Sequence, residues 1–258
     1  MNNSGKRGEK VTAEETRRIQ LEMLDEIDAF CRKHNIRYSL AFGTLLGAIR
    51  HKGYIPWDDD VDIMMPLPDM LRFKQEFVSD NLSYHDVETE PYYEFHFSRI
   101  SHNRTYSRGG MILKSYGVCI DLYPVAGIAE DAQTFINRLW STLIKRMKYI
   151  KWRKRVVRNL PIKSIPGYKK SITTYRNMAL FSCPYDQAKN YFHAGNLKEV
   201  NIFDYDVFKE TCDVEFEGHH YMAVSCWHDY LAHCFGDYMQ FPPESERHPY
   251  HAFQFYWK

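Results

Sequence analysis

An α/β fold is expected for this chain of 258 residues, and three stretches carry the expectation. Tyr38 to Met65 (YSLAFGTLLGAIRHKGYIPWDDDVDIMM) reads as strand, glycine turn, short helix, loop and strand. Thr12 to His34 carries the apolar stripe of an amphipathic helix. Gly117 to Pro124 (GVCIDLYP) alternates Val118, Ile120 and Leu122 with Cys119, Asp121 and Tyr123, the period of a strand. At 44% hydrophobic residues the chain can bury a full core, as one large domain or a domain with a subdomain.

Taken in order, residues 1–11 read as a polar, disordered tail. Thr12 and Glu15 form a capping box, and Ile19, Leu21, Met23, Leu24, Ile27 and Phe30 supply the stripe of a scaffold helix beside the first strand. Tyr38–Phe42 is a short apolar run ended by Gly43, and Thr44 is placed to N-cap TLLGAIRH, which Gly53 and Pro56 terminate. The next strand is expected from about Asp60, with Val61, Ile63 and Met65 on one face and Asp60 and Asp62 on the other. Two carboxylates aimed at one point repel each other and resist desolvation unless a cation lies between them. Oxygen-only ligands suit Mg²⁺ or Mn²⁺ rather than zinc. An isolated acidic run is ordinarily a solvated turn, but this one follows Pro56-Trp57 and enters an apolar segment that draws its later members inward. Asp58 and Asp59 are read as loop or supporting carboxylates.

A helix is expected over Pro68–Asn81, then strands over Tyr84–Glu90 and Phe95–His102. Arg99 and Arg104 suit bidentate phosphate contact and equally suit pairing with a surface glutamate. Asp121, amid apolar neighbours, is either a structural carboxylate capping a loop or a functional one. From Ala132 to Tyr185 there is no acidic residue, and Lys145–Arg158 interleaves cations with Leu143, Ile144, Met147, Ile150, Trp152 and Val156. The charge continues through Lys169, Lys170 and Arg176, so residues 145–176 fit an anionic membrane surface or a solvated helix pair. No nucleic-acid motif accompanies the cations, and the net charge of +1 points to no partner. Val214–Val224 reads as a hairpin, followed by a helix ended near Phe235-Gly236. His219, His220, Cys226, His228, His233 and Cys234 match no standard zinc spacing. Six cysteines without a CxxC pair suit reduced thiols, and no run reaches membrane-spanning length, so a cytoplasmic location is expected.

The string GTLLGAIRHKGYIPWDDDVDI resembles the signature of the LicD family, phosphocholine transferases of bacterial surface glycans with fukutin and fukutin-related protein as distant relatives. The tail LAHCFGDYMQFPP resembles the family's GDYM and PP pattern, with Phe235 where tyrosine is usual and Cys226 in a segment where proline is common. The resemblance covers roughly Thr12–Pro124 and Val214–His251 and is weak between. It implies a nucleotidyltransferase-like mixed sheet with flanking helices, divided into a core at 12–131, a basic helical insertion at 132–195 and a C-terminal extension at 196–258. It also implies metal-dependent transfer of a phosphorylated alcohol from a CDP-activated donor, CDP-choline favoured, to a hydroxyl of a glycan or a lipid-linked oligosaccharide, on the membrane's inner face. Asp121 then becomes the third ligand of Mg²⁺ or Mn²⁺ with Asp60 and Asp62. The amides after Gly43, at the start of the Thr44 helix, would hold a donor phosphate, with Arg50, His51 and Lys52 reaching the diphosphate and Arg99 assisting. Trp57, Tyr92 and Tyr93 would face the trimethylammonium, which has no N–H to donate. The alternatives are NMP transfer from a nucleoside triphosphate, phosphoribitol or phosphoglycerol transfer, and an inactive membrane-associated glycan-binding module.

Overall fold

The computed structural model describes residues 7–90, 93, 95–108, 115–130, 132, 134–139, 141–142, 145, 168–193, 201–248 and 254–258. Helix α1 (Ala13–His34) starts at the expected capping box, Thr12 Oγ1 accepting from Glu15 N at 3.1 Å and Glu15 Oε2 from Thr12 N at 2.8 Å. It buries Ile19, Gln20, Met23, Leu24, Ile27 and Cys31. Strand β1 is shorter than expected (Ser39–Leu40), because the chain turns at Ala41 into helix α2 (Phe42–His51). Thr44 is therefore inside the helix rather than its N-cap, a position held by Ala41 without a side-chain bond. Strand β2 (Asp62–Pro66) begins two residues later than expected and is buried along its whole length, so Asp60 lies in the loop before it.

Helix α3 (Leu67–Glu76) follows directly, then β3 (Leu82–His85), β4 (Ser98–His102), β5 (Thr105–Arg108) and β6 (Cys119–Ile128). The helix and strands are shorter than their sequence patterns, since Phe77 leaves helical geometry and Phe95 to Phe97 approach β4 as loop. Beyond them lie α4 (Tyr168–Leu180), β7 (Asn190–His193), β8 (Asn201–Phe203), β9 (Thr211–Phe216), β10 (His219–Val224), α5 (Trp227–Phe235) and β11 (Gln254–Trp257).

The main sheet runs β1-β2-β6-β4-β3, with β7 on the later half of β6 and β8 beyond it. Only β2 and β6 run parallel within it, so the sheet is mixed, as the α/β expectation required. β6 is buried along nearly its whole length because it is central: β2 pairs with one edge, and β4 and then β7 with the other. The β9–β10 hairpin turns through Glu217 and Gly218 at φ 54° and 80°, and it hydrogen-bonds back to the loop after α2 through Glu217 N to Lys52 O at 2.8 Å.

The N-terminal stretch differs from the expected tail. Gly8 N donates to Trp257 O at 2.8 Å and Val11 N to Phe255 O at 2.9 Å, so residues 8–11 run beside β11, which itself pairs with β5. An unpaired edge of β11 offers donors and acceptors that a polar segment can take as readily as water. Most of the basic stretch, residues 146–167, lies outside the described residues. Arg176, counted with its extension, is buried within α4 and borders a small recess with Asp86. No helix among the described residues is long and apolar enough to cross a membrane.

Candidate active site

The register of β2 and β6 places Asp62 beside Asp121, and that of β4 and β6 places Arg99 beside Asp121 from the other edge. Three residues distant in sequence thus share one face at one level of the sheet. Backbone bonds fix the acids: Asp121 N donates to Val61 O at 3.0 Å, and Asp62 O accepts from Ala41 N at 2.9 Å. Thr44 adds the link between helix and strand. Its Oγ1 accepts from Asp62 N at 2.9 Å, so the turn into α2 aims the carboxylate.

Asp62 is buried, and its Oδ1 has no hydrogen-bond partner. Burial, reinforced by Asp60, Asp121 and Asp58, pushes its carboxyl well above the usual carboxylate range, with Arg99 opposing. A carboxylate oxygen in that setting lacks a cation or a proton. The donor set is all oxygen, so a hard divalent ion such as Mg²⁺ or Mn²⁺ fits it. The closest convergence of carboxylates is next door: oxygens of Asp58, Asp59 and Asp60 lie within 4.8 Å of one another. Asp62 and Asp121 lie outside that group, so the expected set of Asp60, Asp62 and Asp121 does not converge as closely. Asp62 also does not line the cavity over this face, and Asp121 receives Arg99 Nε and Nη2 on its Oδ1 and Oδ2 at 2.6 and 2.7 Å.

A cavity of about 850 Å³ opens over this face. Asp58, Asp59, Asp60, Asp121, Arg99 and Trp57 form one side of its lining. Facing them are Arg17, Gln20 and neighbours from α1, with Phe255 from β11. Helix α1 is thus part of the site as well as scaffold. Arg17 Nη2 donates to Pro56 O at 3.4 Å and Asp58 O at 3.1 Å, its guanidinium lying 4.7 Å from the Tyr54 ring. Gln20 Nε2 donates to Asp59 O at 3.2 Å and its Oε1 accepts from Tyr54 Oη at 3.0 Å. The acidic loop therefore hangs from α1 by its carbonyls, and Asp58, Asp59 and Asp60 line the cavity. Gln20 had a sequence signal, a polar residue inside the apolar stripe between Ile19 and Met23; Phe255 had none.

The structure distributes the remaining expected residues differently. Gly43 is the second residue of α2, and the group against it is the Asp58 carboxylate: a Cβ there would come within 2.5 Å of Asp58 Oδ2. Arg50 and His51 turn to the C-terminal segment. Arg50 Nη1 donates to Tyr238 O at 2.7 Å, its Nε to His51 Nε2 at 3.0 Å, and its guanidinium lies 4.6 Å from the Phe241 ring. Lys52 closes α2 in the left-handed region at φ 59° and is exposed. Arg247 covers Trp57 at 5.5 Å. Tyr93 is buried in the second apolar cluster with Tyr116, away from the cavity lining, and Tyr92 lies outside the described residues. His228 bonds to Tyr238 Oη at 2.7 Å and His219 to Asp25 at 3.0 Å, so these histidines serve the packing of the C-terminal part.

A strand that turns at Ala41 into helix α2, followed by parallel strands that set Asp62 and Asp121 side by side, is the arrangement within a stretch of chain that falls in the nucleotidyltransferase-domain class. Residues 35–177, more than half of the chain, match the family described as LicD/FKTN/FKRP, nucleotidyltransferase domain. The chain belongs to that family. The match runs through much of the stretch between Pro124 and Val214, where the resemblance read from motifs was weak. The chain is 28% identical over 264 aligned positions to the lipopolysaccharide cholinephosphotransferase LicD of Haemophilus influenzae, covering 96% of this chain and 98% of that protein. Uncharacterized proteins of Rickettsia typhi and Rickettsia prowazekii share 43% and 41% identity over 54 residues, 21% of this chain and 18% and 20% of theirs.

Proposed function

We propose that the protein transfers phosphocholine from CDP-choline to a hydroxyl of a cell-surface glycan or its lipid-linked precursor. The observation that carries this reading is the end-to-end likeness to a lipopolysaccharide cholinephosphotransferase, with 96% of the chain aligned. The carboxylates on the cavity wall support it. Asp60, Asp62 and Asp121 would hold a divalent cation, Mg²⁺ or Mn²⁺. Bound there, such an ion would neutralise charge on the phosphate oxygens as the leaving CMP departs.

The chain's own residues do the placing. The acceptor oxygen attacks the phosphorus that carries choline, the bond from that phosphorus to the CMP oxygen breaks, and the hydroxyl proton passes to a base. Arg17 and Gln20 hold the acidic loop in position by its backbone, and Thr44 holds Asp62. A donor phosphate approaching the start of α2 meets the Asp58 carboxylate at Gly43, so that side chain must turn away for the helix amides to be used. Trp57 and Phe255, with carboxylates of the same cavity, offer the ring surface and negative charge that a quaternary ammonium needs. The cations of residues 145–170, Arg176 being buried, would bring the enzyme to an anionic membrane face where lipid-linked acceptors are assembled.

The test is a donor competition with the purified protein: CDP-choline against CDP-ribitol, CDP-glycerol and CTP, products identified by mass spectrometry. Phosphocholine transfer with release of CMP is expected. Faster turnover of a polyol donor would remove the choline assignment, and release of pyrophosphate from CTP would make the protein an NMP transferase.

A further inference from the structure

Arg99 was expected to meet a donor phosphate, yet its guanidinium is committed inside the protein. Its Nε and Nη2 edge is used on both oxygens of Asp121 at 2.6 and 2.7 Å. Rings of Phe95, Phe97 and Tyr116 surround the guanidinium at 4.2, 5.7 and 5.9 Å. The residue is 5% exposed, at the wall of the cavity that Asp121 also lines. A guanidinium stays protonated in proteins, and the two-pronged pairing with Asp121 fixes its charge in place. A fixed positive charge is therefore built in beside a cluster of carboxylates.

We propose that Arg99 is a positioning residue that fixes Asp121 and withdraws part of its charge, so that the site grips its divalent cation less tightly and leaves that ion more effective toward the donor phosphates. The inference rests on the metal-dependent reading above. Asp60, Asp62 and Asp121 bring three negative charges when ionised, and Arg99 returns one. Every unit of ligand charge given to the ion reduces the field it exerts on other oxygens, and a partner bonded to a ligand tunes that share.

Two effects of removing Arg99 compete. Asp121 would gain side-chain freedom, which weakens binding; the site would lose a cation, which strengthens it. Asp121 stands on the central strand β6, bonded on both edges, so only its short side chain is freed. Loss of a full charge at short range in a buried site is the larger effect. A purely structural arginine would give the opposite sign, since loosening the ligands can only weaken the site.

The experiment is a Mn²⁺ titration of the full chain without substrate, read from the free-ion signal in electron paramagnetic resonance, alongside kcat with CDP-choline. Arg99→Gln, folded by circular dichroism, is expected to bind Mn²⁺ about tenfold more tightly than wild type and to turn over more slowly. Arg99→Lys, which keeps the charge and loses the fork, should bind Mn²⁺ within about threefold of wild type with a reduced kcat. Should Arg99→Gln fail to fold, Arg99→Lys decides: unchanged affinity with reduced kcat supports the proposal, and weakened affinity overturns it. An unchanged kcat in either variant, or Arg99→Gln binding no tighter than wild type, also overturns it while leaving the metal reading intact. Wild-type protein that binds no Mn²⁺ overturns both.

Discussion

Asp62→Asn separates the stability of the site from its chemistry. The wild-type carboxylate is buried, with Oδ1 unpartnered, and Asp60, Asp121 and Asp58 all act against its charge. Its folded pKa lies above the ordinary 3.8, so the folded state keeps the proton longer than the unfolded one. The sign follows. Stability from this group is fully present below the unfolded pKa and is lost as pH rises through the folded value, so the metal-free protein should weaken from about pH 4 upward. Asparagine has the same shape, carries no charge, and can donate its amide N–H to a neighbouring carboxylate. Relieving a buried polar group of an unmet partner is worth about 1–3 kcal/mol. At about 2–4 °C per kcal/mol in a domain of this size, Asp62→Asn should raise Tm in EDTA at about pH 7 by roughly 2–12 °C. Mn²⁺ or Mg²⁺ should stabilise the wild type increasingly with pH and leave the variant nearly unmoved, and the variant should lose transfer activity. Thermal melts at several pH values, with EDTA and with metal, measure all of this. A variant that melts below wild type in EDTA, or a difference between the two that stays constant from about pH 4 to 7, would refute the argument.

Two other expectations follow from the site and its surroundings. Thr44→Val leaves the buried Asp62 N–H without its acceptor and should cost about 1–3 kcal/mol in urea unfolding, while Thr44→Ser should retain most of the stability. The full chain should float with anionic liposomes at low salt and release at high salt, each cation near the surface contributing about 1 kcal/mol; absence of low-salt binding would leave residues 145–170 as a solvated segment.

What the amino-acid order determined alone were features whose energy is local. The Thr12–Glu15 box and the stripe of α1 act over three or four positions, and both stand where the pattern put them. The Glu217-Gly218 turn needs left-handed backbone, which the glycine tolerates, and flanking alternation announced the hairpin. Asp62 and Asp121 were visible as acids in apolar strands because period-two alternation is itself local. The chain was also legible as a LicD relative, since its glycine turn and acidic run form one contiguous string. Tertiary structure decided who meets whom. Sheet order made β2 and β6 neighbours and set Asp62 beside Asp121; the same order put Arg99 on the other side of Asp121. Arg50 and His51 look like surface cations in sequence, and they were claimed by carbonyls and rings of a segment some 190 positions later. Residues 8–11 look like a tail, and β11 gave them an edge to pair with. A buried charge takes the partner that the fold brings within reach, and reach across strands and termini depends on how distant apolar surfaces pack, which no short window of sequence contains.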